Sequence, residues 1–288
     1  MAKILDGKKL SEEILLKLKR EVTGLKEKYK KAPHLAVIMA GTYPPSIVYV
    51  NIKGKKAKEI GMDFTLFKMP ETVEEQLVIK TINKLNRDKK INGIIVQLPL
   101  PKHLNERRIL DHIAIEKDVD GLTTENIGAL VSGYPYYIPC TPQGIMELVK
   151  LTKQKLEGKR AVIIGRSNIV GKPIAFLLLK EHCTVTLCHS RTRDLDREAA
   201  SADILVVAIG RPHFVKGSWV KKAATVIDVG INRVEDKTSP KGYHLVGDVD
   251  FKAAVKKAAY ITPVPGGVGP LTSIMLLKNT IESFKKNY

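Results

Sequence analysis

Apolar residues recur at steps of three and four from Leu10 through Ile14, Leu18 and Val22 to Leu25, with charged residues between them. That period predicts an amphipathic helix over Ser11–Lys31, with Glu12 and Glu13 in its first turn to match the helix dipole. An unbroken apolar, β-branched run then predicts a buried strand over Leu35–Ala40. After the loop Gly41-Thr42-Tyr43-Pro44-Pro45, a helix is expected from about Ser46 to Ile60, closed by Gly61. Phe64–Phe67 alternates weakly as a strand. Thr72-Val73-Glu74-Glu75 has the form of a capping box, opening a helix that carries Val78, Ile82 and Leu85. Ile91–Val96 is the next strand, and the prolines of Gln97-Leu98-Pro99-Leu100-Pro101 force a sharp exit from it. Gln97 therefore stands at the carboxyl end of a strand, where open α/β sheets hold their ligands. Asn105 is placed to cap a helix reaching about Ile115. Tyr134–Pro142 reads as a crossover between domains, with Thr141 as an N-cap and Pro142 at the first helical position.

The second half is organised around Arg160–Lys180. Ala161–Ile164 reads as a buried strand ended by Gly165, Arg166-Ser167-Asn168 as a polar turn, and Ile169–Lys180 as a helix with Gly171 and Pro173 near its start. Strand, glycine turn and helix place backbone N–H groups and a helix N-terminus against a phosphate. The spacing is G-x5-G, which matches the common dinucleotide fingerprint G-x-G-x-x-G only in part. Cys183–Cys188 reads as the second strand. It is followed by His189-Ser190-Arg191-Thr192-Arg193, with no acid before Asp194. A carboxylate at that position suits the ribose of NAD. Basic and hydroxyl residues with Arg166 suit the 2′-phosphate of NADP. Further strands are expected at Ile204–Ala208 and Ala224–Val229. A glycine- and proline-dense loop spans Thr262–Pro270, and a last helix spans Leu271–Lys286.

Composition narrows the function classes. The 288 residues are 44% hydrophobic, enough for one large domain or two ordinary ones. The apolar runs fall short of a membrane span, the opening MAKILDGKKLSEE has no signal-peptide core, and a cytoplasmic protein is expected. Three cysteines, Cys140, Cys183 and Cys188, form no C-x-x-C, and the seven histidines are scattered, so neither a disulfide framework nor a metal site is expected. A net charge of +18 points to anionic partners. The lysines are dispersed and only six Phe and one Trp are present, which disfavours nucleic acid and leaves phosphate cofactors, polycarboxylate substrates, or surface lysine with no partner as the source of most of the charge.

Tyr49 and Lys53 are four residues apart and so share one helix face, where a phenol can stack a flat heterocycle and an amine can move protons. Lys117-Asp118-Val119-Asp120-Gly121 sets two carboxylates on a turn, and Asp-Gly is a turn signal in itself.

Taken in order, Tyr49–Lys53, Val96–Leu100, Lys117–Leu122, Pro139–Pro142, Gly165–Pro173, His189-Ser190, Asp228–Asn232 and Thr262–Pro270 resemble the bifunctional methylenetetrahydrofolate dehydrogenase/cyclohydrolase family along almost the whole chain. The resemblance implies an α/β protein of two domains with a cleft between them. An N-terminal folate-binding catalytic domain would span 1–140, a Rossmann-type NADP-binding domain 141–270, and a C-terminal helix at 271–288 would pack back on the first. It implies oxidation of 5,10-methylenetetrahydrofolate to the methenyl form with NADP, then hydrolysis to 10-formyltetrahydrofolate, within one-carbon metabolism and purine biosynthesis. A monofunctional dehydrogenase without cyclohydrolase activity is the alternative.

By the same resemblance Lys53 is the catalytic lysine, Tyr49 stacks on the folate, Gln97 holds Lys53, and Asp120 anchors the pterin. Leu98, Pro263, Gly266, Gly267 and Val268 complete the folate side, and Gly165, Arg166, Ser167, Ser190, Ile231 and Thr141 are the cofactor positions. No metal is implied, and a homodimer is expected. Departures from the family pattern are small: Tyr43-Pro44-Pro45 replaces an Asp-Pro-Ala-like loop, and Leu271 replaces a common Met. Since some members use NAD, the choice between NADP and NAD stays open at this stage.

Overall fold

A computed structural model describes residues 2–239 and 242–288. Strand β1 (Lys3–Ile4) precedes α1 (Gly7–Tyr29), after which β2 (His34–Ala40), α2 (Pro44–Glu59), β3 (Asp63–Met69), α3 (Glu75–Arg87) and β4 (Gly93–Val96) alternate. Two short helices, α4 (Glu106–Leu110) and α5 (Thr124–Val131), lead to α6 (Cys140–Lys150). Then come β5 (Arg160–Ile164), α7 (Gly171–Lys180), β6 (Thr184–Cys188), α8 (Leu195–Ala200), β7 (Ile204–Val207) and β8 (Thr225–Asp228). The hairpin β9 (Asn232–Glu235) and β10 (Tyr243–Val246), α9 (Phe251–Ala254), β11 (Tyr260–Ile261) and α10 (Gly269–Lys286) complete the chain.

Two compact units result. One comprises Glu12–Cys140 with Ser273–Tyr288, the other Met1–Ser11 with Thr141–Thr272. The expected first domain, 1–140, is thus corrected at its start. Lys3 and Ile4 pair in parallel with Tyr260 and Ile261, so the first residues join the second unit's sheet. A two-residue strand carries no periodicity of its own to announce this.

In the unit of Glu12–Cys140, β2 lies between β3 and β4 in a parallel sheet. Leu35 to Ala40 are all buried, as expected of a parallel strand covered on both faces. Ala36, Ile38 and Ala40 share one face with Ile94 and Val96 and pack on Val78, Ile82 and Leu85 of α3 and Ile109 of α4. Each large apolar side chain so buried contributes about 1.5–3 kcal/mol before entropy is counted. Helix α2 runs unbroken through Gly54. A Cβ there would stand 2.9 Å from the Phe64 ring, so glycine lets the helix lie close on β3.

Four local expectations fail. Helix α1 opens at Gly7, so its first turn holds no acid and Glu12 and Glu13 lie in the second, and α4 ends at Leu110, short of Ile115. The capping box at Thr72–Glu75 caps nothing: α3 begins at Glu75, its N-cap is Glu74 without a side-chain bond, and Glu75 Oε2 instead accepts the backbone N–H of Asn105 at 2.9 Å. Thr141 lies inside α6 rather than at its cap, and its hydroxyl meets that of Thr272 at 3.0 Å.

In the other unit six parallel strands run in the order β6-β5-β7-β8-β11-β1. The chain steps from β5 to β6 on one side and returns to β7 on the other, which makes the carboxyl ends of β5 and β7 a topological switch point. Among the described residues no strand lies beyond β6, and β1 supplies the sixth strand at the opposite edge. Its core joins Val162, Ile164, Leu205, Val207 and Val226 with Ala199 of α8 and Ala254 of α9.

Candidate active site

Lys53 lies on the third turn of α2 and is half-buried. Its ammonium donates to Gln97 Oε1 at 2.9 Å. The loop after β4 fixes that partner. The backbone N–H of Gln97 extends the sheet to the carbonyl of Ile38 at 2.8 Å, and its Nε2 donates to the Leu98 carbonyl at 2.7 Å. With the amide nitrogen spent there, Oε1 faces the lysine. Burial of the amine pulls Lys53 below the ordinary lysine pKa, against the opposing negative charge of Asp120. Tyr49 stands one turn earlier on the same helix, with 44% of its surface exposed.

Asp120 is presented by a turn built around a different carboxylate. Asp118 is 1% exposed and accepts five hydrogen bonds. Oδ1 takes the N–H of Gly121 at 3.0 Å and Leu122 at 3.2 Å, while Oδ2 takes the N–H of Thr123 at 2.9 Å, its hydroxyl at 2.8 Å and Asn126 Nδ2 at 3.3 Å. Burial nevertheless raises the Asp118 pKa to about 6. Gly121 has φ 73°, and a Cβ on it would stand 2.9 Å from Pro139 N, so the turn requires glycine. The same web continues through Asn126 Oδ1, which accepts the N–H groups of Tyr136 and Tyr137 at 3.1 and 3.2 Å.

Cys140 closes the constellation. It is 2% exposed, and its thiol donates to the Val119 carbonyl at 3.4 Å. Burial, then the charge of Asp120, holds that thiol well above the usual pKa, so it is a neutral S–H beside Lys53 and Asp120. Asn279 of α10 ties the segment down, donating to the carbonyls of Val119 at 2.9 Å and Ile138 at 3.1 Å. Lys117, the first residue of the same motif, is structural. Its ammonium donates to the carbonyls of Leu85, Asn86 and Asp88 at 2.9, 2.8 and 2.7 Å, capping the end of α3. Lys56, on the same helix as Lys53, is half-buried and donates to Ser273 Oγ at 3.0 Å. A depression of about 620 Å³ along α3, lined by residues such as Leu77, Lys80 and Lys84, includes none of these groups.

Tyr49, Lys53, Gln97, Leu98 and Asp120 thus belong to one unit, and the remaining candidates belong to the other. There, a Cβ on Gly171 would overlap the carbonyl oxygen of Gly165, so the start of α7 touches the end of β5. Gly165 itself has φ 127°. Ser167 Oγ accepts the N–H groups of Val170 at 3.1 Å and Gly171 at 3.4 Å, which caps the helix and leaves its O–H free to donate. The first turn of α7 holds no acidic residue. Arg166 before it and Ser190, Arg191 and Arg193 after β6 are exposed, and Ile231 is 43% exposed. A glycine turn at the switch point, an acid-free helix N-terminus and basic residues after β6 fit a phosphorylated dinucleotide. Pro263, Gly266, Gly267 and Val268 form a packed loop: the Gly266 carbonyl accepts the N–H of Lys8 at 2.8 Å, and Val268 is 3% exposed. Among the described residues no group of three or more His, Cys, Asp or Glu could hold a metal ion, and no helix is long and apolar enough to cross a membrane.

The sequence reading missed the roles of Asp118, Asn126, Cys140 and Asn279. Asn126 and Asn279 are buried amides, but each stands beside other polar residues, Glu125 and Lys278 with Thr280, so nothing local singles them out.

A doubly wound sheet with a glycine turn at its switch point, and in the other unit a desolvated lysine bonded to an amide, fit a dinucleotide-dependent enzyme. Residues 5–120 match the catalytic domain of tetrahydrofolate dehydrogenase/cyclohydrolase, and residues 139–288 match its NAD(P)-binding domain. The chain belongs to the tetrahydrofolate dehydrogenase/cyclohydrolase family. A bifunctional protein FolD of Geotalea daltonii is 50% identical over 287 residues, which cover 99% of this chain and 100% of that protein. The crystal structure of the bifunctional FolD dehydrogenase/cyclohydrolase from Campylobacter jejuni is 44% identical, with a TM-score of 0.95 and 100% of both chains covered. The FolD enzyme of Trypanosoma brucei, solved with NADP and an inhibitor, is 41% identical with a TM-score of 0.95, covering 99% of this chain and 98% of that one.

Proposed function

We infer that this protein is a bifunctional enzyme of one-carbon metabolism. It oxidises 5,10-methylenetetrahydrofolate to 5,10-methenyltetrahydrofolate with NADP and hydrolyses the product to 10-formyltetrahydrofolate. The observation that carries the reading is the Lys53–Gln97 contact beside Asp120 in a chain matched from end to end by bifunctional relatives. A dehydrogenase lacking the hydrolytic step finds no support, because that step's proton-transfer group is present and desolvated.

We propose these roles on the family match and on where each residue lies. NADP, when bound, supplies the hydride acceptor. Gly165, the first turn of α7 and Ser167 would take its phosphates, Arg166 and Ser190 its 2′-phosphate, and Ile231 and Thr141 its remaining contacts. Tyr49 offers its exposed ring to the flat pterin, Asp120 accepts from the ring's N–H groups, and Leu98 with Pro263, Gly266, Gly267 and Val268 supplies further folate contacts. Water must add to the methenyl carbon and a proton must then reach the departing ring nitrogen. A lysine can carry protons only when a fraction of it is neutral, which its burial favours, and Gln97 aims the amine. Orientation of the reactants supplies the hydride step's main need.

We further propose a cytoplasmic homodimer whose formyl product feeds purine synthesis, and we assign the +18 charge chiefly to solvated lysine rather than to nucleic-acid binding. Incubation of the purified chain with methylenetetrahydrofolate and NADP tests the function. Reduced cofactor and a transient methenyl chromophore are expected together. Methenyl product that accumulates without decaying faster than in buffer would leave only the dehydrogenase.

A further inference from the structure

Two buried carboxylates stand at the carboxyl ends of the six-stranded sheet, and neither has a part in the roles above. Asp248 is 0% exposed. Its Oδ2 accepts the N–H groups of Ile209 at 2.7 Å and Gly210 at 2.9 Å. Its Oδ1 accepts the N–H of Arg211 at 2.8 Å and the side-chain amide of Asn232 at 2.8 Å. Asp228, the last residue of β8, accepts the N–H groups of Gly230 at 3.1 Å, Asp248 at 2.9 Å and Val249 at 2.9 Å. One carboxylate therefore holds the segment after β7 to the start of β9. The other holds the segment after β8 to the turn that carries the first.

The packing leaves no slack. A Cβ on Gly230 would overlap the Asp248 carboxyl, and one on Gly247 would overlap that of Asp228. A Cβ on Gly165 would overlap the carbonyl oxygen of Ala208, the residue before Ile209. So the segment anchored by Asp248 is also the one against which the dinucleotide turn rests. In a doubly wound sheet the adenosine half of a dinucleotide lies on the first two strands of the motif, here β5 and β6, and the other half lies across the switch point. The segments anchored by Asp248 follow β7 and β8, on that far side, and include Ile231.

We propose that Asp248, backed by Asp228, is a positioning residue for the nicotinamide half of the cofactor, holding residues 209–211 and 230–232 at a fixed separation. The inference rests on the NADP reading above. A carboxylate is needed because four donors converge on it. The carboxamide of Asp248→Asn has one acceptor oxygen, so it can satisfy one pair of donors while turning its own N–H groups on the other pair.

The test uses the full chain and two ligands measured at equilibrium: NADPH by its fluorescence, and 2′,5′-ADP, which reproduces only the adenosine half, by calorimetry. Asp248→Asn is expected to weaken NADPH by about tenfold or more, the equivalent of 1.4 kcal/mol per tenfold, and to leave 2′,5′-ADP within about twofold. Asn232→Ala, which keeps the three backbone bonds, should show the same split at about two- to fivefold. It carries the comparison alone if Asp248→Asn does not fold. A role in folding only would weaken both ligands together. Equal weakening of both, or unchanged NADPH binding in a folded variant, overturns the proposal. A wild-type chain that binds neither ligand overturns the cofactor reading beneath it.

Discussion

Replacing Asp118 by Asn separates stability from geometry at this site. The carboxylate takes two N–H donors on one oxygen and three donors on the other. An amide has one acceptor oxygen. Placed toward Gly121 and Leu122, it leaves the Thr123 N–H and Asn126 Nδ2 facing an NH2 group. Placed toward Thr123, it strands Gly121 and Leu122. Either way two buried donors lose their partner, at about 1–3 kcal/mol each. Against that, burial disfavours the charge. A pKa raised from 3.8 to about 6 corresponds to about 3 kcal/mol at 1.36 kcal/mol per unit, and the neutral amide escapes it. The two effects oppose each other, about 2–6 kcal/mol against about 3, so the net change should lie between a gain of about 1 and a loss of about 3 kcal/mol. The turn that presents Asp120 has no such compensation, and misplacement by about 1 Å can lower rates about 100-fold. Urea unfolding and both activities should therefore diverge: a small shift in midpoint, a rise in folate KM, and a fall in kcat/KM of about 10- to 100-fold. A folded variant with unchanged folate KM and unchanged rates would refute the claim that Asp118 positions Asp120.

Methenyl hydrolysis, corrected for the uncatalysed rate, should rise with pH as Lys53 loses its proton, with a midpoint below the 10.5 of free lysine because burial disfavours the ammonium; a midpoint at or above that value contradicts the desolvated lysine. Lys117→Met removes the ammonium that caps α3 and should lower unfolding free energy by about 1–3 kcal/mol with little change in KM, and an unaltered melting curve would sink that role. Gly171→Ala sets a methyl group against the Gly165 carbonyl and should weaken NADP binding about tenfold or more, whereas wild-type affinity would show that the close approach is not required.

How far the fold was legible depended on whether a signal was local. The unbroken run at β2 and the strand, glycine and helix of Arg160–Lys180 carry their own patterns, and both elements appear within two residues of the expected bounds. The short pieces α5, α8, α9, β1 and the β9–β10 hairpin span two to eight residues, too few for a period to declare itself. The apparent capping box failed because Glu75 found a partner 30 residues away in Asn105. Lys53 and Gln97 are 44 residues apart and were joined only through family resemblance; nothing in their spacing predicts the contact. Asp118 looked like ordinary turn chemistry, and it is turn chemistry. Its five donors come from residues within eight positions, and only the buried fold shows that they all converge on one carboxylate.

We propose above all that Lys53 moves the proton of the hydrolytic step. Lys53→Met keeps the length of the side chain and removes the amine that meets Gln97. The decisive measurement follows hydrolysis of methenyltetrahydrofolate alone, beside NADP-dependent oxidation of methylenetetrahydrofolate alone, in a variant shown to be folded. Hydrolysis should fall by about 10²–10⁴-fold, the usual worth of a general acid–base group, while oxidation falls much less. Hydrolysis at near the wild-type rate would contradict the assignment and move the proton transfer to Asp120 or to a bound water.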